Sequence, residues 1–317
     1  MKFRTFSFLI IAIFSCLPLT CKADLNVVVS VRPLYGIVAS IMEGRGKPQL
    51  LLQGQESPHT YSSKPSDVIA ISQADLVVWI GESYEIFLKK IMANEVSPTA
   101  LITADKLHGT RLLHLRSGGV WGKHSHSHAN IVHDDHGHAH FEDTTTIDGH
   151  LWLDIENAKK IAIAVKEKLC LLDKANAANY SANLSKFLKK LAALDAELRG
   201  KFHPFTNKGF IVFHDSYQYL ENAYNLTTLG SILVEPESPA QPYHVDLLLK
   251  LLKNGNCHCI FSEPQFKSDI AENLSEKTKV PVGLLDPLGT QITLSPDHYV
   301  LLMKEMVSAI DKCVNKR

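Results

Sequence analysis

Short, wholly apolar runs that alternate with amphipathic stretches constrain this chain more than any other feature. "DLNVVVSV" (24–31) leads into "PLYGIVASIMEG", whose spacing is helical and stops at Gly44, and "ADLVVWIG" (74–81) leads into "YEIFLKKIMANE". The alternation resumes later, with "GFIVFHDS" (209–216) before "YQYLENAYN", "CHCIFSEP" before "SDIAENLSEKTK", and "VPVGLLDPLG" before "PDHYVLLMKEMVSAIDKCV". A strand that is apolar all along is covered on both faces, the condition of a parallel sheet between helices. Between the two series, residues 155–200 hold no Pro and no Gly before Gly200. Their apolar residues recur at three and four spacing, as at Ile161, Val165, Leu169 and Leu172. The pattern predicts an α/β fold of two (β/α) lobes with parallel sheets, joined by a long helical linker that breaks or bends at "DKANAANY". Ser66, just after Pro65, is the expected N-cap of a helix over "SDVIAISQA".

The N-terminus reads as a targeting segment. Lys2 and Arg4 precede "FSFLIIAIFSCLPLT", an apolar run too short for an ordinary membrane span, and "CKAD" offers a cleavage point after Ala23. The expected divisions are therefore a signal peptide over 1–23, a first lobe over 24–154, a helical linker over 155–200 and a second lobe over 201–317. The whole chain balances 33 basic against 33 acidic residues, and losing Lys2, Arg4 and Lys22 leaves a small acidic excess. That gives no attraction for nucleic acid or an anionic membrane. Cys170, Cys257, Cys259 and Cys313 remain after cleavage, and an exported chain forms disulfides. On a strand, Cys257 and Cys259 share a face, and either can reach Cys313.

Four metal-competent side chains fall at or just after the carboxyl ends of predicted strands, where open α/β sheets bind ligands. They are His59, His150, His214 and Asp286, two in each half. A site between the halves collects them. Three neutral imidazoles and one carboxylate suit tetrahedral Zn2+, and imidazole-rich sets favour zinc over the harder cations. Asp154 and Asp215 are candidates for orienting an imidazole.

The segments "HTYSSKPSDVIAISQADLVVWIGES", "GHLWLD", "FHDSYQYLE", "FSEPQF" and "LLDPLGT" recur in the order of a known family. Across nearly all of the chain beyond residue 23, it resembles the zinc-binding periplasmic component of high-affinity ABC importers. The resemblance implies two lobes with zinc in the interlobe cleft and delivery to a membrane permease driven by an ATPase, in a periplasmic protein expected to be monomeric. It makes His59, His150 and His214 the zinc ligands, with Asp286 at the fourth position, which water can share. Manganese members typically carry Glu where this chain has His214, so that residue argues for zinc. Pro58 stands where some zinc members have an acid before the first His. The resemblance also pairs Cys259 with Cys313.

Residues 117–146 combine Gly, Ser, Asp, Thr and His with little apolar content, a composition that packs no core and predicts a flexible loop. Within "HSHSHANIVHDDHGHAH" lie His124, His126, His128, His133, His136, His138 and His140. Zinc members often carry such a loop before the second His ligand, and these seven residues are expected to bind zinc weakly as an accessory. Two alternatives stand beside this reading: a manganese or iron component of a related importer, and a secreted zinc hydrolase. The hydrolase needs a general base near a metal-bound water. The chain has no HExxH motif, so no enzyme activity is expected.

Overall fold

The computed structural model describes residues 25–121, 147–234, 236 and 238–316. The expected signal peptide, the seven clustered His residues and most of the His-rich loop lie outside them. In the first lobe, β1 (Val27–Val29), α1 (Arg32–Met42), β2 (Gln49–Leu50), α2 (Pro65–Ser72), β3 (Leu76–Trp79), α3 (Lys89–Glu95) and β4 (Leu101–Thr103) follow one another. The strands form one parallel sheet in the order β2-β1-β3-β4. Two helices come next, α4 (Ile155–Leu172) and α5 (Ala177–Phe202), separated by a short turn at Lys174–Asn176. The second lobe holds β5 (Gly209–Val212), α6 (Gln218–Tyr224), β6 (Thr228–Ser231), α7 (Pro242–Lys253), β7 (Cys257–Ser262), α8 (Asp269–Thr278), β8 (Val282–Leu284) and α9 (His298–Val314). Its strands are again all parallel, in the order β6-β5-β7-β8.

Strands β1, β3 and β5 are buried at every residue, as their unbroken apolar sequence requires. The break in the helical zone falls at "DKAN", where Asp173 accepts hydrogen bonds from Asn176 Nδ2 at 2.6 Å and Tyr180 Oη at 3.0 Å. Short polar side chains that bond locally compete with helix continuation. Ser66 is not the N-cap of α2. Pro65 is already the first helical residue, because its fixed φ suits that position, and Lys64 takes the cap site. Asp67 turns back to accept from Lys64 N at 2.8 Å.

The two lobes share one hydrophobic core. It runs from β1 and α1 through α4 and α5 to Phe210, Phe261 and α9, while a smaller second cluster sits between β5, β7, α7 and α8. Helix α1 lies so close to α9 that a Cβ on Gly36 would meet the Tyr299 backbone nitrogen at 2.5 Å. Helix α5 holds the end of α1 through Asn183 Nδ2, which donates to the carbonyls of Ile41 and Glu43, both at 2.9 Å. Between the halves, Trp152 Nε1 donates to Pro287 O at 3.0 Å and Tyr299 Oη to Trp152 O at 2.7 Å. Cys259 and Cys313 form a disulfide that ties β7 to α9.

Candidate metal site

His59 stands in the loop after β2, His150 just before α4, and His214 two residues past β5. One donor atom from each lies within 4.8 Å of the other two, and these are the residues grouped this way among those described. His150 Nε2 and His214 Nε2 are 3.2 Å apart. Zinc–nitrogen bonds of about 2.0–2.1 Å in a tetrahedron put neighbouring ligand nitrogens roughly 3.3–3.4 Å apart, so the observed spacing is close to a metal-ready one. His59 Nε2 is buried with no hydrogen-bond partner among the described residues. An orphaned buried nitrogen costs free energy that a bound cation restores.

Local packing fixes the rings. Tyr84 lies edge-on to His59 at 5.1 Å and to His150 at 5.0 Å between centroids, and Trp152 backs His150 at 5.4 Å. Gly149 permits this, because a side chain there would run into the Tyr84 ring. Phe266 flanks His214 at 5.7 Å.

Two buried carboxylates face the outer nitrogens. Asp148 Oδ1 stands 2.7 Å from His150 Nδ1 and also accepts from the His150 backbone amide at 3.0 Å. Glu263 Oε2 stands 2.8 Å from His214 Nδ1, off the line of a straight hydrogen bond. An acid on Nδ1 holds the proton there and turns an unprotonated Nε2 inward, the arrangement that orients ligating imidazoles. The rings differ in basicity. Burial holds His59 well below the ordinary 6.5, helped by the charges of His214 and His150. Burial, then the charge of His214, does the same to His150. Burial also opposes the charge on His214, but Glu263, Asp215 and Asp148 together outweigh it and raise its pKa. Burial pushes Asp148 up to about 6.

Asp286, the expected fourth ligand, is not in the group. Its Oδ1 accepts from Gln265 Nε2 at 2.9 Å and Leu288 N at 3.0 Å, and its Oδ2 from Thr290 N at 2.6 Å and Thr290 Oγ1 at 2.7 Å. With four donors on it, the carboxylate stabilises the loop after β8. Asp154 does not orient an imidazole either, since it caps α4 by accepting from Glu156 N at 2.8 Å. Asp215 faces Arg116 instead of a ring, with Arg116 Nε donating to Oδ2 at 2.8 Å. The carboxylates that do face the rings, Asp148 and Glu263, went unselected in the sequence. The available signal was Glu263 ending a strand and Asp148 two residues before His150.

The pocket is lined by the three His with Ser57, Pro58, Tyr84, Glu263, Gln265, Phe266, Pro287 and Leu288.

The family model described as zinc-uptake complex component A, periplasmic, matches residues 27–313. The high-affinity zinc uptake system protein ZnuA of Brucella suis biovar 1 (strain 1330) is 35% identical over 310 residues, with 92% of each chain covered. A crystal structure of ZnuA superposes with a TM-score of 0.74 at 26% identity, covering 92% of this chain and 100% of the other. The periplasmic zinc-binding protein TroA from Treponema pallidum reaches 0.76 at 18% identity, covering 92% and 99%, and so shares the fold.

Proposed function

Because the chain belongs to the family of periplasmic components of zinc-uptake complexes, we propose that it captures Zn2+ in the periplasm and hands it to the membrane permease of an ABC importer, whose ATPase drives uptake. The family is one of solute-binding receptors, not enzymes, so zinc is the cargo and no bond is made or broken. His59, His150 and His214 are the ligands. The convergence of their three donor atoms within 4.8 Å in a small buried pocket is the observation that carries this reading. Residues 1–23 serve as the export signal, 24–154 and 201–317 as the two lobes, and 155–200 as the linker, and the protein acts as a monomer. The fourth position falls to water or to Asp286 once its loop rearranges. Alternate His residues over 124–140 gather zinc by avidity.

Competition titration of the mature protein with a zinc chelator tests the assignment. His59→Ala and His214→Ala are each expected to weaken binding by at least about a hundredfold, since each removes one of three fixed ligands. Wild-type affinity in both variants overturns it. In the same titration, deletion of 124–140 is expected to lower zinc stoichiometry while leaving the tight site intact.

A further inference from the structure

The chain leaving β4 crosses from the first lobe onto the second before it reaches the His-rich run. At its start, Asn157 of α4 clasps Arg111, accepting from its amide at 2.8 Å and donating to its carbonyl at 3.0 Å. Two residues on, Leu113 N donates to Tyr219 Oη on α6 at 3.0 Å, and Gln218 Nε2 donates to His114 O at 3.2 Å. Arg116 then places its guanidinium between two acids of the second lobe. Nε and Nη2 reach Asp215, while Nη1 and Nη2 reach the two oxygens of Glu221, each at 2.9 Å. The Trp121 ring covers the guanidinium, 3.6 Å from its centroid, and Val120 packs against Gly230 of β6. Both acid side chains are largely buried, at 7% and 10% exposure.

Both sides of the metal pocket hang from this strap. Asp148, which orients His150, donates its amide to Leu113 O at 2.8 Å, and its own carbonyl accepts from Tyr219 Oη at 2.8 Å. Gln218 Nε2 donates to Asp148 Oδ2 at 3.2 Å, and His114 pairs with Ile147. On the other side, Asp215 is the residue after His214. We propose that Arg116 is a positioning residue, which straps residues 111–121 of the first lobe across α6 of the second and so holds His150 and His214 at metal-binding separation before the ion arrives. The link to zinc rests on the proposed function, whereas the strap itself does not.

A planar fork that engages two carboxylates is not replaced by a point charge. Hydrogen exchange in the metal-free protein reads the strap directly. In Arg116→Gln, the amides of Leu113 and Asp148 are expected to exchange faster. Stopped-flow release of zinc into a chelator is expected to speed up on the order of tenfold, because a buried ion pair is broken from one side and affinity changes fall mainly on dissociation. Arg116→Lys, which keeps charge and folds more safely, is expected to fall between. Combining Arg116→Gln with Asp215→Asn is expected to release zinc no faster than the worse single variant, since both cut one contact. Unchanged exchange overturns the proposal, as does unchanged release or an additive double variant. A wild type that takes up no zinc sinks the reading of the site and leaves the exchange result to judge the strap.

Discussion

At His214, burial works against the charged ring while Glu263, 2.8 Å away, favours it, and the balance leaves the pKa above 6.5. His59 and His150 are neutral far below that. Protons therefore compete with zinc first at His214. Because its folded pKa is raised, zinc must displace a proton there at any pH below that value, and affinity falls by about tenfold per pH unit through one site. Glu263→Gln removes the charge that raises it. Titration at two pH values checks this: the variant is expected to lose about tenfold in affinity at pH 8, where ring orientation suffers. At pH 6 it loses less, because a less basic His214 yields its proton more easily. Equal losses at both pH values contradict the account. The three His were legible in the sequence because each falls at or after the carboxyl end of a predicted strand, and motif resemblance selected them from sixteen His. Arg116 was not. Its partners Asp215 and Glu221 are 99 and 105 residues away, and nothing local marks such a pairing.

Among the elements, α1 and α9 show how tightly the design is drawn. Gly36 has no room for a methyl group, because backbone and not a yielding side chain stands opposite. Gly36→Ala is expected to push α1 off α9 and cost about 1–3 kcal/mol, the usual range for overpacking. Chemical denaturation checks it, and an unchanged midpoint contradicts it. The strands and long helices were readable from apolar runs and from periodicity over 155–200. Finer features were not: Ser66 looked like a cap, but Pro65 had already begun the helix. Asp286 is held instead by Thr290, four residues on, which turns the loop into a cradle for its carboxylate. Which local donors meet a carboxylate is set by loop geometry, which spacing along a chain does not encode.

For the whole molecule, the shared core between lobes matters more than the lobes themselves. Helices α1, α5 and α9 bury one continuous cluster, and Trp152, just before α4, bonds to Pro287 and Tyr299 of the second lobe. Separating the halves widely would expose that cluster, so zinc capture is expected to involve small local adjustment. X-ray scattering profiles with and without zinc are expected to superpose, and a marked drop in radius of gyration on zinc addition contradicts this. The disulfide between Cys259 and Cys313 has a consequence for the cargo as well as for the fold. Thiolate is a soft ligand that suits zinc as well as imidazole does. Cys259 and Cys313 are buried together in the shared core, whereas Cys257, two residues back on β7, packs in the smaller second cluster instead of sharing a face with Cys259. Reduced, this corner would set two soft sulfurs against the three imidazoles for the same ion. Oxidation withdraws both sulfurs from coordination chemistry, so the bond that braces the second lobe would also leave the ion to the imidazoles.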